Sequence, residues 1–234
     1  METHKVRDYY NTHKQKIEQW LDVALSRESD PADLPVKVNP GASRSHRRSA
    51  MLRNQLRLRR LVDLSRSKRV LDVGAGFGDF AIFADNFGFE RLDATEPSPE
   101  QYHFITEQFR HYDRVYDLPL EEMDMSGYDT LVLMGLWVPD WRKALEEHIL
   151  PNSDLRDVVL TMGVTNPVWS IVVDIPDHVP AGTWRYCWPA VESKVYSIEI
   201  INSVFRHHGF RLANSRTRTR TIPGPKVLAH YQRD

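Results

Sequence analysis

Arg69-Val70-Leu71-Asp72-Val73-Gly74-Ala75-Gly76-Phe77-Gly78 is a short apolar, β-branched run that passes directly into three glycines at alternate positions. The first half suits a buried strand. The second half suits a turn in which missing side chains let the backbone approach a ligand, with a helix N-terminus just beyond. Glycines also serve a plain tight turn between strand and helix, so the spacing matters. G-x-G-x-G lacks the third glycine position of the dinucleotide fingerprint G-x-G-x-x-G, and Asp72 stands where a dinucleotide-binding strand is apolar. A carboxylate there repels a pyrophosphate and suits a cationic ligand, through water or by fixing the turn.

Downstream of this stretch, strand-like and helix-like segments alternate. Strands are expected near 69–74, 91–96, 113–117, 128–134 and 157–163, with helices near 78–87, 98–110 and 140–150. That alternation implies a parallel sheet. Residues 164–195, rich in Pro and Trp, read as a long loop or partial lid, and a helix follows from Ser197 to His208. The tail, RLANSRTRTRT and KVLAHYQR joined through Ile222-Pro223-Gly224-Pro225, reads as an antiparallel hairpin. Upstream, residues 5–27 place Ile17, Trp20, Leu21 and Leu25 at helical spacing. Prolines break the chain from Asp30 to Gly41, and a second helix runs from about Ser43 to Ser65 with an apolar stripe of Met51, Leu58, Leu61 and Val62. The expected architecture is α/β: a Rossmann-like, mostly parallel seven-stranded sheet with a C-terminal antiparallel hairpin, flanked by helices. A helical extension over 1–66 precedes the main domain, 67–234, which carries the insertion 164–195.

The 234 residues suffice for one α/β domain with an elaboration or two. A net charge of -1, from 31 basic and 32 acidic side chains, demands no nucleic acid, membrane surface or acidic polymer as partner. Cys187 is the one cysteine, which excludes an intrachain disulfide and a multi-cysteine zinc site and favours a reducing compartment. The opening METHKVRDYYNTHK lacks the apolar core of a signal peptide, and no apolar run approaches the ~20 residues of a membrane span. A cytoplasmic protein is expected.

Glu96 ends the next apolar segment, RLDATEPSP, at the distance beyond the glycines where a carboxylate accepts both hydroxyls of a ribose. An ordinary solvated glutamate at a strand end is the plain alternative. Asp93 is the rival acid, but side chains alternate along a strand, so it faces away from Glu96. At these residues the chain resembles a known family. Val70 to Gly78 resembles motif I of the class I S-adenosylmethionine-dependent methyltransferases, and Glu96-Pro97-Ser98 is similar to their second acidic motif. The likeness in element order covers roughly 69–163, with an echo in the helix ending His207-His208-Gly209-Phe210. The resemblance implies S-adenosyl-L-methionine as cofactor. By it, the backbone around Gly74 and Gly76 contacts the methionine part, Glu96 the ribose and Asp117 the adenine amino group, with Asp72, Ala75, Gly78, Pro97 and Met134 completing the set. Asp117-Leu118-Pro119-Leu120 also reads as a plain turn.

Motif I says nothing of the acceptor. In-line transfer from an activated sulfonium relies on positioning, with a base where the acceptor carries a proton. The loop MGLWVPDW after the fourth strand does not resemble the D/N-P-P-Y/F motif of enzymes that methylate exocyclic base amines, which disfavours that chemistry. Trp137 and Trp141 are candidates to shape an acceptor pocket, or are simple packing. In the insertion, His178 is the preferred general base, oriented by Asp174 or Asp177, the alternative being a solvated loop histidine. Trp184 and Tyr186 lie in the same insertion, and Tyr9 and Tyr10 resemble N-terminal tyrosines that close over the cofactor in small-molecule members of the family. Asp140, Asn166 and Asp174 have no diagnostic metal-ligand spacing, so no metal is expected.

Between Ser43 and Arg69 stand ten Lys and Arg against one acid, Asp63; Arg53, Arg57 and Arg60 share a helical face, and Arg216, Arg218 and Arg220 alternate onto one strand face. These surfaces can track a phosphate backbone, grip an anionic substrate or simply be solvated. Three readings follow: methyl transfer to an oxygen or nitrogen of a small-molecule or sugar-like acceptor, which is preferred; a nucleic-acid methyltransferase using the basic helix; and a non-catalytic cofactor-binding scaffold. Oligomeric state is left open.

Overall fold

The computed structural model describes residues 11–19, 21–22, 44–134, 138, 140–163, 173–174, 194–195, 198–218 and 226–233. Nine strands are present among them: β1 Arg69–Val73, β2 Arg91–Thr95, β3 Arg114–Tyr116, β4 Thr130–Leu133, β5 Asp157–Gly163, β6 Val173–Asp174, β7 Lys194–Val195, β8 Phe210–Arg218 and β9 Lys226–Arg233. Seven form one sheet in the order β3-β2-β1-β4-β5-β9-β8. The first five run parallel, and β9 runs antiparallel to both of its neighbours. The order reverses between β1 and β4, which makes the crevice at their C-terminal ends the topological switch point where α/β sheets bind ligands. The expected sheet and hairpin are thus present; β5 spans the expected residues, and β1 to β4 are each shorter than expected by one or two residues at one or both ends. Strands β6 and β7 pair antiparallel inside the insertion.

Side-chain alternation divides the core into two halves, one on each face of the sheet. Leu71 and Val73 of β1, Leu131 and Leu133 of β4, Val158, Leu160 and Met162 of β5, and Val227, Ala229 and Tyr231 of β9 pack against α5 (Trp141–Ala144) and α6 (Ile198–His207). Val70, Leu92, Ala94, Val132, Val159 and Leu228 face the opposite way. They meet α2 (Arg44–Leu61), α3 (Asp79–Ala84), the turn after α4 (Pro99–His103) and an N-terminal helix, α1, over residues 11–19 and 21–22. The helices expected over 98–110 and 140–150 begin as α4 and α5 and widen into single π-helical turns, Phe104–Gln108 and Leu145–Ile149. Apolar periodicity carries no signal for that widening.

One expectation about α2 needs correction. Among its described side chains the buried face is Leu52, Gln55 and Leu58, followed by Val62 just past its end, with Leu61 only partly buried; Met51's side chain lies outside the described residues. Gln55 broke the apolar pattern because its buried amide has a partner: Nε2 donates to the Asp79 carbonyl at 2.8 Å. The basic face of α2 is also less free than its composition suggests. Arg48 forms a two-pronged pair with Glu18 of α1 at 2.7 and 3.0 Å, and Arg57, Arg59 and Arg60 are each engaged within the protein; the Arg53 side chain lies outside the described residues.

The last strand is clamped at its end. Arg233 lies over the Phe210 ring at 4.3 Å, and its guanidinium donates to the carbonyls of Leu150, Asn152 and Ser153 at 3.1–3.2 Å, satisfying acceptors left free after the π turn. On the far side α1 docks through Ile17 and Leu21, both wholly buried, and through Lys16 and His13 on Asp85. Gln19 Nε2 adds a bond to the Gln108 carbonyl at 3.0 Å. The N-terminal helices thus share a core with the sheet. Leu21→Ala is expected to lower unfolding free energy by about 2–5 kcal/mol in a single urea transition. An unchanged midpoint, or a separate early transition, would mark α1 as an appendage.

Candidate functional site

At the C-terminal ends of β1 and β2 the chain folds into a tight loop. Gly74, Gly76 and Gly78 all have positive φ (64°, 57° and 78°), a region costly for other residues. The last two serve different ends. A Cβ on Gly78 would stand 2.9 Å from the Phe109 ring, so that glycine permits close packing of the loop on the turn after α4. A Cβ on Gly76 would meet no atom within 4 Å, so Gly76 faces open space and leaves room there.

The loop is fastened to the end of β2 by three hydrogen bonds. Gly74 N donates to Thr95 Oγ1 (3.1 Å) and Ala75 N to the Thr95 carbonyl (2.9 Å). Gly76 N donates to Glu96 Oε2 at 2.6 Å, while the other oxygen of the same carboxylate accepts from Ser98 N at 2.9 Å, and Glu96 N donates to the Tyr116 carbonyl. Glu96 is 4% exposed. Burial raises its pKa against the lowering effect of the two backbone donors, and Asp117 nearby raises it further. Asp93 points away, as alternation requires, and is a structural acid wholly buried between Tyr128, which donates to it, and Arg91, which pairs with it.

Two further carboxylates lie behind the loop. Asp72, on the α3 side of β1, is 2% exposed and accepts from the Tyr112 hydroxyl at 2.6 Å. Burial pushes its pKa up to about 7 despite that hydrogen bond, with Asp79 and Glu96 adding to the rise. Asp79 opens α3; among the described residues its buried Oδ1 has no hydrogen-bond donor, and burial raises its pKa to about 6. Three acids thus surround a turn that presents open space, and two are held where neutrality and ionisation compete near physiological pH.

The rest of the rim follows the sheet register. Pairing of Val73 with Thr95 and of Thr95 with Tyr116 places the next residues, Gly74, Glu96 and Asp117, on adjacent strand ends, and Met134 follows β4 beside them. Asp117 and Pro97 are exposed, and Met134 is half-buried against the α3 side of the core. Trp141 is a core residue, 5% exposed. Asp140 caps α5 by accepting from Lys143 N at 3.1 Å. His178, Tyr9, Tyr10, Trp137, Trp184, Tyr186, Asp177, Asn166 and Arg220 lie outside the described residues, as do the side chains of Asp174 and Arg218. Among the described residues no group of three or more His, Cys, Asp or Glu has metal-binding geometry, and no helix is long and apolar enough to cross a membrane.

Neither a protein-family model nor any curated protein matches the sequence. Solved structures do. Magnesium protoporphyrin IX methyltransferase from Synechocystis PCC 6803, solved with bound SAM, aligns over 100% of this chain and 98% of its own with a TM-score of 0.54 and 15% identity. The fold is that of the class I methyltransferases. The 1,6-didemethyltoxoflavin-N1-methyltransferase of Burkholderia thailandensis aligns over 80% of this chain and 79% of its own, with a TM-score of 0.55 and 18% identity. The StiE O-MT segment gives 0.56 and 18% over 81% of this chain and 77% of that segment.

Two members of this methyltransferase-fold site escaped the sequence. Tyr112 lies forty residues from Asp72 with no motif to announce it. Asp79 was detectable: it is the one acid in the otherwise apolar Asp79-Phe80-Ala81-Ile82-Phe83-Ala84 and follows the last glycine directly.

The raised carboxylates have a pH signature. An unfolded Asp72 ionises near 3.8 and a folded one near 7, so the folded state holds the extra proton between those values, and this contribution to stability falls as pH rises from about 4 to about 7. Asp72→Asn removes the burden of the buried charge. It is expected to gain stability on the order of 2–4 kcal/mol at pH 8 and little at pH 4, by urea unfolding. A variant equally destabilised at both pH values would show that the Asp72 charge carries no such burden.

Proposed function

We propose that this protein is an enzyme that transfers the methyl group of S-adenosyl-L-methionine to an oxygen or nitrogen of a small-molecule or sugar-like acceptor. The observation that carries the reading is the open Gly76 turn with Asp72, Asp79 and Glu96 around it. A site with three acids disfavours a pyrophosphate and favours a ligand with a positive centre and a ribose. The fit is good: Gly76 leaves space, Glu96 keeps lone pairs beyond its two backbone donors, and among the described residues Asp79 Oδ1 is buried without a donor.

Bound there, the cofactor supplies a methyl group on a sulfonium, already activated for displacement. The chain's own residues do the rest. Glu96 accepts the ribose hydroxyls while bracing Gly76, so one carboxylate both shapes the loop and holds the ligand. Asp72, kept in place by Tyr112, and Asp79 offset the ligand's positive charge. Gly74, Ala75 and Gly78 hold the loop backbone against the methionine part, Asp117 takes the adenine amino group, and Pro97 and Met134 flank it. In the insertion, His178 takes the acceptor's proton, and Trp137, Trp184 and Tyr186, with Tyr9 and Tyr10, close around the acceptor. No metal takes part, and the enzyme works in the cytoplasm. The Synechocystis and Burkholderia proteins, by their names, methylate a porphyrin and a toxoflavin precursor, both small molecules, which supports an acceptor of that class.

The test is calorimetric titration with S-adenosylhomocysteine and, separately, NADH. Micromolar binding of the first alone is expected, weakened by about 1–3 kcal/mol in Glu96→Ala and less in Glu96→Gln, which preserves an acceptor for Gly76 N. Binding of NADH alone would overturn the reading. Once an acceptor is found, His178→Ala is expected to lower kcat by about 10²–10⁴-fold with S-adenosylhomocysteine affinity unchanged; full activity would remove the histidine from the mechanism.

A further inference from the structure

The opposite end of the sheet carries a second concavity, which methyl transfer leaves unused. It is a cleft of about 500 Å³ where the N-terminal ends of β1, β4 and β5 lie side by side. Four cationic side chains line it: Arg66 and Lys68 from the segment leading into β1, Arg69 from its first residue, and Arg156 from the position before β5.

Two acids share the cleft, and both are committed to backbone donors. Asp129 accepts from Lys68 N at 3.0 Å, Arg69 N at 3.2 Å and the Thr130 hydroxyl at 2.8 Å. Asp154 accepts from Gly127 N at 3.1 Å. Lys68 pairs with Glu90 at 2.9 Å. Among the described residues, no hydrogen bond or ion pair engages the guanidinium groups of Arg66, Arg69 or Arg156.

The cations stand on backbone that cannot easily move. The carbonyls of Lys68, Arg69 and Arg156 accept from Arg91 N, Asp129 N and Arg233 N at 3.0, 3.0 and 2.7 Å, which ties the backbone of all three residues to neighbouring strand ends. Gly127, at a φ of 75°, lets the Arg69 guanidinium lie against its backbone; Nη1 is 3.1 Å from where a Cβ would stand. The guanidiniums of Arg66, Arg69 and Arg156, all exposed around one hollow and without a hydrogen-bonded or ion-paired partner among the described residues, repel one another. An anion with several oxygens relieves that repulsion, and the planar fork of arginine matches phosphate oxygens two at a time.

We propose that this cleft is a binding site for a phosphate-bearing polyanion. It stands about 16 Å from the glycine turn, the length of a five-residue strand, and it does not depend on the methyl-transfer reading. The phosphates belong either to a small oligophosphate or to a nucleic-acid backbone, and the same experiment separates the two.

The protein is titrated with tripolyphosphate and with a short oligouridylate at ~0.1 M salt, as wild type, Arg66→Glu/Arg156→Glu, Arg66→Ala and Arg142→Glu. Arg142 is an exposed arginine of α5 at the other end of the sheet and controls for net charge. Wild type is expected to bind tripolyphosphate with a dissociation constant on the order of 10–100 µM. The double reversal should weaken it at least about tenfold, Arg66→Ala by roughly three- to tenfold and Arg142→Glu by less than about twofold. The urea unfolding midpoint should be unchanged in all variants, which excludes loss of fold as the cause. Tighter, steeply salt-dependent oligouridylate binding that displaces tripolyphosphate assigns the site to a nucleic-acid backbone, and tripolyphosphate binding that oligouridylate leaves untouched assigns it to a small anion. Absence of binding to both probes, or a loss that Arg142→Glu reproduces, overturns the proposal.

Discussion

Strand β1 is paired along both edges, to β2 and β4, and from Val70 to Val73 it is buried on both faces. It therefore cannot slip. A shift of one residue would turn Leu71 and Val73 toward α3 and carry Asp72 into the apolar half of the core under α5 and α6, away from the Tyr112 hydroxyl. This fixed register sets where the glycine turn begins, and the turn in turn sets where α3 starts and how the chain after α4 can pack. Phe109 can lie against the loop only because position 78 has no side chain.

The same strand carries the main internal conflict of the molecule. A buried carboxylate opposes folding once it ionises, yet the protein gathers three acids at one turn, with Asp72 and Asp79 both raised toward neutrality. The Tyr112 hydroxyl offsets part of that burden, and Glu96 meets its own by accepting two backbone N–H groups that would otherwise be unpartnered. A ligand with a positive centre would relieve more, so stability and binding pull on the same groups in opposite senses. That is the physical content of a preorganised site: charges placed before the ligand comes, at a cost to the empty fold.

The sheet was legible from the sequence because a parallel strand buried on both faces needs an unbroken apolar run, and those runs stand out between helical segments. Glu96 was legible because its separation from the glycines is fixed by one helix and one strand. Tyr112 was not, since the bond that matters joins positions far apart in the chain and neither residue type is unusual. The buried face of α2 was misread at Gln55, a polar side chain whose burial depends on a carbonyl in α3. The anion cleft was visible only as scattered arginines; what turned three of them into one hollow was the adjacency of β1, β4 and β5, a property of topology and not of spacing.

The placement of β9 between β5 and β8 has a consequence for how the protein is made. A ribosome delivers β8 first, but β8 has no edge to join until β9 has emerged and paired with β5. During that interval the outer edge of β5, from Asp157 to Gly163, remains an open template, and the finished β8 segment waits beside it unpaired. Closing the sheet is thus a late event in the life of each nascent chain. Until it happens, holding off mispairing falls to the charged and polar residues along β8, among them Arg211, Asn214, Ser215 and Arg216, all exposed in the folded state.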